Sequence, residues 1–336
     1  MYKVKRIAYK AILFVLLRLP DLFYSFLFAI AFPIYKALHK ERAYGRVVQH
    51  LEAARKYITD RNRDINCSTI ADHNNCAGLA KTTARDVFKG IFWNALESYR
   101  GLARIDSTTD CIVYENEHII RNAIVECAAQ GKPIAAISIH QGAFELLHRS
   151  LCRYSEHVHL ITDSVGDLAF RDVLKELRSD KHLTEYYPNK TGRLIRELFR
   201  TKGILAMVVD QGKFTKGNDV TLFGRPSTLY LRLPQKVNDM GAGIVTFRTW
   251  TEDENSGVRN CLGRKKRIII HFEKFYPPKY DATHKPPQIS ANIITDNSPL
   301  VTEIAREVEN WIAEHPEQWS WNYHGNFTNT RHAPSN

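Results

Sequence analysis

Apolar residues recur along this chain with three different spacings. Residues 12–17 and 22–35 form two nearly continuous apolar runs, interrupted by Arg18, Pro20 and Asp21. Neither run reaches the roughly 18 uninterrupted residues of a spanning helix, yet together they cover membrane dimensions. Lys3, Lys5, Arg6 and Lys10 precede them, and Lys36, Lys40, Arg42 and Arg46 follow. The pattern predicts that residues 1–43 are a membrane-embedded or interfacial anchor, kinked at Pro20, with basic side chains against anionic headgroups. A buried apolar helix of a soluble domain also fits these residues. A secretory signal shares the basic start and Ala29-Ile30-Ala31, but the charged break argues against it. Basic residues at both ends leave the positive-inside rule without a direction.

From residue 44 to about 110 the spacing becomes helical, with polar interruptions at 60–64 and 72–75. Val87, Phe88, Ile91, Phe92, Ala95 and Leu96 mark one face, with Trp93 and Tyr99 beside it, and they read as core. An amphipathic helix is expected over 115–130, ended by Gly131. The next seven residues, 133–139, show neither alternation nor helical spacing, the mark of a short strand covered on both faces. Beyond it the elements alternate: a strand at 158–162, a helix at 166–179, a helix at 191–202 capped by Thr191, and a second buried strand at 204–209. A helix over 229–240 contains Pro234, which predicts a kink or a late start. Two strands at 243–250 and 267–275 lack a crossover helix between them and read as a hairpin. Ser298 and Pro299 open a last helix facing the core with Leu300, Ile304, Val308 and Trp311. The aromatic segment 316–327 after it is expected to fold back against the sheet. Strand–helix alternation makes the fold class α/β: a mixed central sheet flanked by helices, with the N-terminal membrane-associated helix appended. The expected organisation is an anchor at 1–43, one globular domain at 44–330 and a tail at 331–336.

The two buried strands both end in candidate chemistry. His140 follows the first, with Glu145 five residues on; Asp210 and Gln211 follow the second. Strand ends in an open α/β sheet face a crevice, so a titratable side chain there can reach a ligand. A carboxylate that orients an imidazole suits general-base chemistry on a hydroxyl. If the strands are parallel neighbours, Asp210 rivals Glu145 as the orienting acid. The bland alternative makes His140 a strand-end histidine bonded to backbone and Glu145 a carboxylate favoured by a helix N-terminus.

Composition narrows the partners. A formal charge of +11 over 336 residues points to anionic ligands. No nucleic-acid motif accompanies it, and the basic tetrad 264–267 reads as a solvated loop tip. Six cysteines occur without a C-x-x-C pair, so reduced core thiols are expected, and the grouping of Cys67, His73 and Cys76 lacks a fourth ligand for a metal. A hydrolase elbow, Gly-x-Ser-x-Gly, is missing.

Three stretches in order resemble the bacterial lipid A biosynthesis acyltransferase family. His140 to Glu145 is similar to its His-x4-Glu motif. Asp210-Gln211, with Leu222-Phe223-Gly224-Arg225-Pro226 downstream, is similar to its Asp-Gln loop and Phe-Phe-Gly segment. Pro316-Glu317-Gln318-Trp319-Ser320-Trp321 is similar to its C-terminal Pro-Glu-Gln-Tyr/Trp-x-Trp. With the basic, apolar N-terminus, the likeness runs from about residue 10 to 327.

The resemblance implies a glycerolipid-acyltransferase-like sandwich at the cytoplasmic face of a bacterial inner membrane. Its expected reaction moves a fatty acyl chain from acyl carrier protein to a hydroxyl of a lipid A-type glycolipid, with no metal and no organic cofactor. His140 would be the base and Glu145 its charged partner. Arg178 falls where the family has an arginine after the catalytic helix, and it, Asp210, Gln211 and Arg225 are expected to serve catalysis or substrate binding. On residues alone, Arg178 also reads as a helix-end cation. Two departures remove positive charge: Ile161-Thr162-Asp163-Ser164 replaces a Tyr-Arg-Pro-like stretch, and 322–327 lacks a double arginine. They keep open an acyltransferase acting on a lysophospholipid or on another glycolipid or aminolipid, and a non-catalytic lipid-binding relative.

Overall fold

The structure, a computed structural model, describes residues 2–64, 78–104, 112–162, 167–212, 216–253, 266–279 and 298–321. Cys67, His73, Cys76, Asp163, Ser164, Lys213, Arg264 and Lys265, residues 322–327 and the tail 331–336 lie outside the described residues. The chain divides into two compact units: Met1–Arg18, Asn94–Lys216 and Leu231–Ile293 form the first, and Leu19–Trp93, Gly217–Tyr230 and Ile294–Asn336 the second.

The first unit is built on a seven-stranded mixed sheet of order β1-β9-β8-β2-β5-β3-β4. Its strands are β1 (Ile112–Glu115), β2 (Ile134–Ser138), β3 (Val158–Ile161), β4 (Leu183–Tyr186), β5 (Ile204–Val208), β8 (Gly243–Asp253) and β9 (Lys266–Tyr276). Every neighbouring pair is parallel except the β8–β9 hairpin. All five β2 residues are buried, which is why that segment shows no alternation. One face of the sheet offers Ile134, Ala136, Ile204, Ala206, Val245, Phe247, Ile268 and Ile270 to a core shared with Ile120, Ala123 and Cys127 of the helix Glu117–Ala129 and with Leu147 and Leu151.

Four strands escape the sequence pattern: β1 and β4 in this sheet, and Asn218–Leu222 and Arg225–Leu229, which pair with each other where no strand is expected. Both β1 and β4 are four-residue edge strands with mostly half-buried side chains, too short and too polar to register as apolar runs. Because β1 takes Glu115, the helix expected from 115 starts at Glu117. Thr191 is the first residue of its helix rather than the cap; its hydroxyl donates to the Pro188 carbonyl at 2.7 Å. The helix Arg232–Asp239 starts late, with Pro234 in its first turn, where no intrahelical N–H is lost. Pro20 does not kink a continuous helix. It is extended (φ −71°, ψ 156°) and separates Tyr2–Leu16 from Asp21–Leu38.

Basic residues of the Tyr2–Leu16 helix face protein acids. Lys5 pairs with Asp167 at 3.2 Å, Arg6 and Lys10 both pair with Glu176, and Tyr2 donates to Asp172. These acids belong to the helix Leu168–Arg178 and its cap, Asp167, whose carboxylate accepts from the Ala169 and Phe170 amides at 2.9 and 3.1 Å.

The second unit contains the helices Asp21–Leu38 and Gly45–Asp64, the hairpin β6 (Asn218–Leu222) and β7 (Arg225–Leu229), and the helix Pro299–Glu314. Ser298 caps that last helix, and Leu300, Ile304, Val308 and Trp311 are buried, as their spacing predicts. Two of the sequence stretches that carry the resemblance meet in this unit as packing. Phe223 stacks on Trp321 at 5.8 Å, Trp319 meets Trp321 edge-on at 4.9 Å, and the Trp321 indole donates to the Pro316 carbonyl at 2.6 Å. The buried Glu309 accepts from the Phe223 amide at 2.5 Å. The 316–321 segment thus folds onto the hairpin.

Gly90 is where this packing is tightest. A Cβ there would lie 1.8 Å from the Glu317 carbonyl oxygen. Backbone cannot yield as a side-chain tip can, so Gly90→Ala is expected to destabilise the protein by about 3 kcal/mol or more. Urea unfolding checks this, and an unchanged midpoint contradicts it.

Candidate active site

The site arises from strand register. β2 and β5 pair in parallel with a constant offset, Ile134 opposite Ile204 and Ser138 opposite Val208. Two residues beyond each strand stand His140 and Asp210, in the same offset. The Asp210 carboxylate accepts twice: from the His140 backbone amide at 3.0 Å and from its ring Nδ1–H at 2.7 Å. The acid is 1% exposed and the imidazole side chain 18%, so the carboxylate is sealed while the ring keeps an open side. The carboxylate fixes the tautomer with the proton on Nδ1 and leaves Nε2 as the basic nitrogen. Phe144 meets the ring edge-on at 4.6 Å.

Gly142 makes this loop possible. Its φ is +56°, and a Cβ would approach the Thr249 carbonyl to 2.4 Å, so the chain turns against β8 at a point where only hydrogen fits.

Glu145 does not hold the imidazole. It lies in the 3-10 turn Phe144–Leu146, and its two oxygens accept from Arg178 Nε and Nη2 at 2.8 and 2.6 Å. Arg178 ends the helix Leu168–Arg178, whose buried Ala169, Val173 and Leu174 fix its rotation against the core. The expected His140–Glu145 pair is therefore corrected: geometry joins His140 to Asp210 and Glu145 to Arg178. The cause is chain direction. The turn after Gly142 delivers Glu145 to Arg178, whereas parallel pairing brings Asp210 to the ring. Glu145 and Arg178 side chains are only 13% and 11% exposed, so each charge depends on the other.

Burial opposes protonation of His140, but the Asp210 carboxylate outweighs it, with Glu145 adding in the same sense, and the ring's pKa stands above the ordinary histidine value. Burial would raise Glu145, yet the Arg178 guanidinium holds it below the usual carboxylate range.

His148 completes the surroundings and was not singled out from sequence. It is buried, its Nε2 has no hydrogen-bond partner, and burial pushes its pKa down to about 3 against the pull of Glu145. The spacing signal was present, since 148 follows 145 by three residues on a helical turn. Gln211 is half-buried beside Asp210. Arg225 opens β7 opposite Leu222, in the second unit. Among the described residues no group of three His, Cys, Asp or Glu side chains is arranged to hold a metal ion.

Residues 92–324 match the family described as bacterial lipid A biosynthesis acyltransferase, more than half of the chain. The chain belongs to that family. No curated protein matches it. Membership makes this lipid A-type acyltransferase an enzyme class with an acyl donor and a lipid acceptor. The matched stretch contains every one of the six sequence-predicted site residues, His140, Glu145, Arg178, Asp210, Gln211 and Arg225.

The ion pair in this acyltransferase makes a specific demand. Glu145→Ala strands a buried guanidinium, with an expected loss of about 3–5 kcal/mol. Glu145→Leu combined with Arg178→Met removes both charges and is expected to recover most of that loss. Chemical denaturation of the three proteins checks this, and equal destabilisation by the single and double variants is the contrary result.

Proposed function

We propose that this protein transfers a fatty acyl chain from acyl carrier protein to a hydroxyl of a lipid A-type glycolipid, working at the cytoplasmic face of a bacterial inner membrane. The observation that carries the reading is the His140–Asp210 pair, one member sealed and the other open, at the ends of adjacent parallel strands. In this reading His140 Nε2 removes the acceptor hydroxyl proton as the oxygen attacks the thioester carbonyl. A carbon–oxygen bond forms, the carbon–sulfur bond breaks, and the departing thiolate takes the proton back from the imidazolium. Asp210 stabilises that imidazolium and holds the ring in the tautomer that exposes Nε2. Such base catalysis is worth about 10²–10⁴ in rate.

Arg178 gives two of its nitrogens to Glu145, so its part is to fix the turn that carries Phe144 and the glycine loop, and to set the charge beside the ring. Gln211, next to Asp210, lines the same strand end. The membrane part of the reading is supported by the helix Asp21–Leu38, whose 18 residues have a mean hydropathy of 1.4 and are largely uncovered by protein. A second reading, with another glycolipid or aminolipid as acceptor, is favoured by the missing positive charge at Ile161-Thr162-Asp163-Ser164.

Lipid mass spectrometry of cells with and without the gene identifies the acceptor: one lipid class lacking one acyl chain is the expected result. In a purified assay with acyl carrier protein thioester and that lipid, His140→Ala is expected to lower kcat at least about 10²-fold. Because the base must be neutral, kcat/KM is expected to rise with pH through an apparent pKa above the ordinary histidine value. Full activity of His140→Ala, or a rate independent of pH on the acidic side, would remove the imidazole from the mechanism.

A further inference from the structure

The helix Asp21–Leu38 carries two apolar faces that do different things. Tyr24, Phe28, Phe32 and Tyr35 form one stripe, packed on the helix that begins at Ala84. Tyr24 meets Phe92 and Trp93 at 6.1 and 6.2 Å, Phe28 meets Phe92 at 5.7 Å, and Phe32 and Tyr35 meet Phe88 at 6.1 and 5.2 Å. These contacts run along three turns of the helix. The second stripe is Leu22, Phe26, Ile30, Ile34 and Leu38, spaced every four residues and between 49% and 82% exposed. Exposed apolar surface of that length is unusual on a protein in water.

By length the helix is able to cross a bilayer, since 18 residues rise about 27 Å against a hydrocarbon core of about 30 Å. Its inner stripe argues otherwise. Phe88 and Phe92 flank the exposed Lys89, and Arg85 stands exposed one turn earlier on the same helix. If Asp21–Leu38 spanned the membrane with its aromatic contacts intact, those cations would enter hydrocarbon, at about 2.5–3.5 kcal/mol each. If it spanned alone, a row of aromatic contacts would be lost. Lying flat avoids both. The exposed Lys36 and Lys40 at its C-terminal end then meet anionic headgroups, consistent with the chain's +11 charge.

We infer that Asp21–Leu38 is an in-plane membrane element: its exposed apolar stripe enters a single leaflet containing anionic lipid, its inner aromatic stripe stays clasped to Phe88, Phe92 and Trp93, and the chain does not cross at this helix. The inference rests on the membrane part of the function proposed above and concerns only the mode of attachment.

The test places single cysteines at the helix ends, Pro20→Cys and Lys40→Cys, in the full chain. Inverted membrane vesicles from expressing cells are treated with an impermeant maleimide, with and without detergent, and each site is read separately by peptide mass spectrometry. Both ends are expected to behave alike before detergent. One end labelled and the other protected overturns the in-plane mode while leaving acyl transfer untouched. A chain absent from the membrane fraction overturns it together with the membrane reading. As a second measurement, Phe26→Glu with Ile30→Glu is expected to lower partitioning onto phosphatidylethanolamine–phosphatidylglycerol vesicles at least about tenfold, without lowering the melting temperature. Unchanged partitioning contradicts the assignment of the exposed stripe.

Discussion

The parallel pairing of β2 with β5 is the constraint from which the candidate site follows. Once Ile134 lies beside Ile204, every later residue of β2 faces the residue seventy places on, and His140 is bound to meet Asp210 just past the strands. A slip of one residue would turn each buried side chain of these strands to the opposite face, so the core itself enforces the register. Gly142, turning against the Thr249 carbonyl, then lets the chain leave without dragging the imidazole from its acid.

This arrangement divides the acidic residues near the site by task. Asp210 is sealed, and its carboxylate accepts from both N–H groups of His140. Glu145 faces a guanidinium that ends a capped helix packed on the same core. The two pairs push their members in opposite protonation senses: the imidazole is made easier to protonate and Glu145 harder. Two fixed pairs side by side give a site whose charges are set before any substrate arrives, which is the form electrostatic preorganisation takes in a low-dielectric crevice. The downstream stretches that carry the family likeness serve a different end, since Phe223, Trp319 and Trp321 pack against one another in the second unit.

Much of this was legible in the sequence because burial writes itself into composition. The continuous apolar runs at 133–139 and 204–209 gave the two central strands, and a titratable residue at the end of each already made Asp210 a rival to Glu145 as the partner of His140. The Ser298–Pro299 helix start and the β8–β9 hairpin were equally plain. What was hidden is what depends on tertiary neighbours. Edge strands such as Leu183–Tyr186 bury too little to show a pattern, and the direction of the Glu145 side chain is set by Arg178, thirty-three residues away. The break at Pro20 reads as a kink because a one-dimensional pattern does not show that one helix ends before it and another begins after it.

The central claim is that His140 and Asp210 act as one unit. A double-mutant cycle on kcat with His140→Ala, Asp210→Asn and the combined variant measures it most directly. The account predicts that the combined variant is no slower than His140→Ala alone, because the acid works only through the ring. Losses that multiply across the two sites would contradict it.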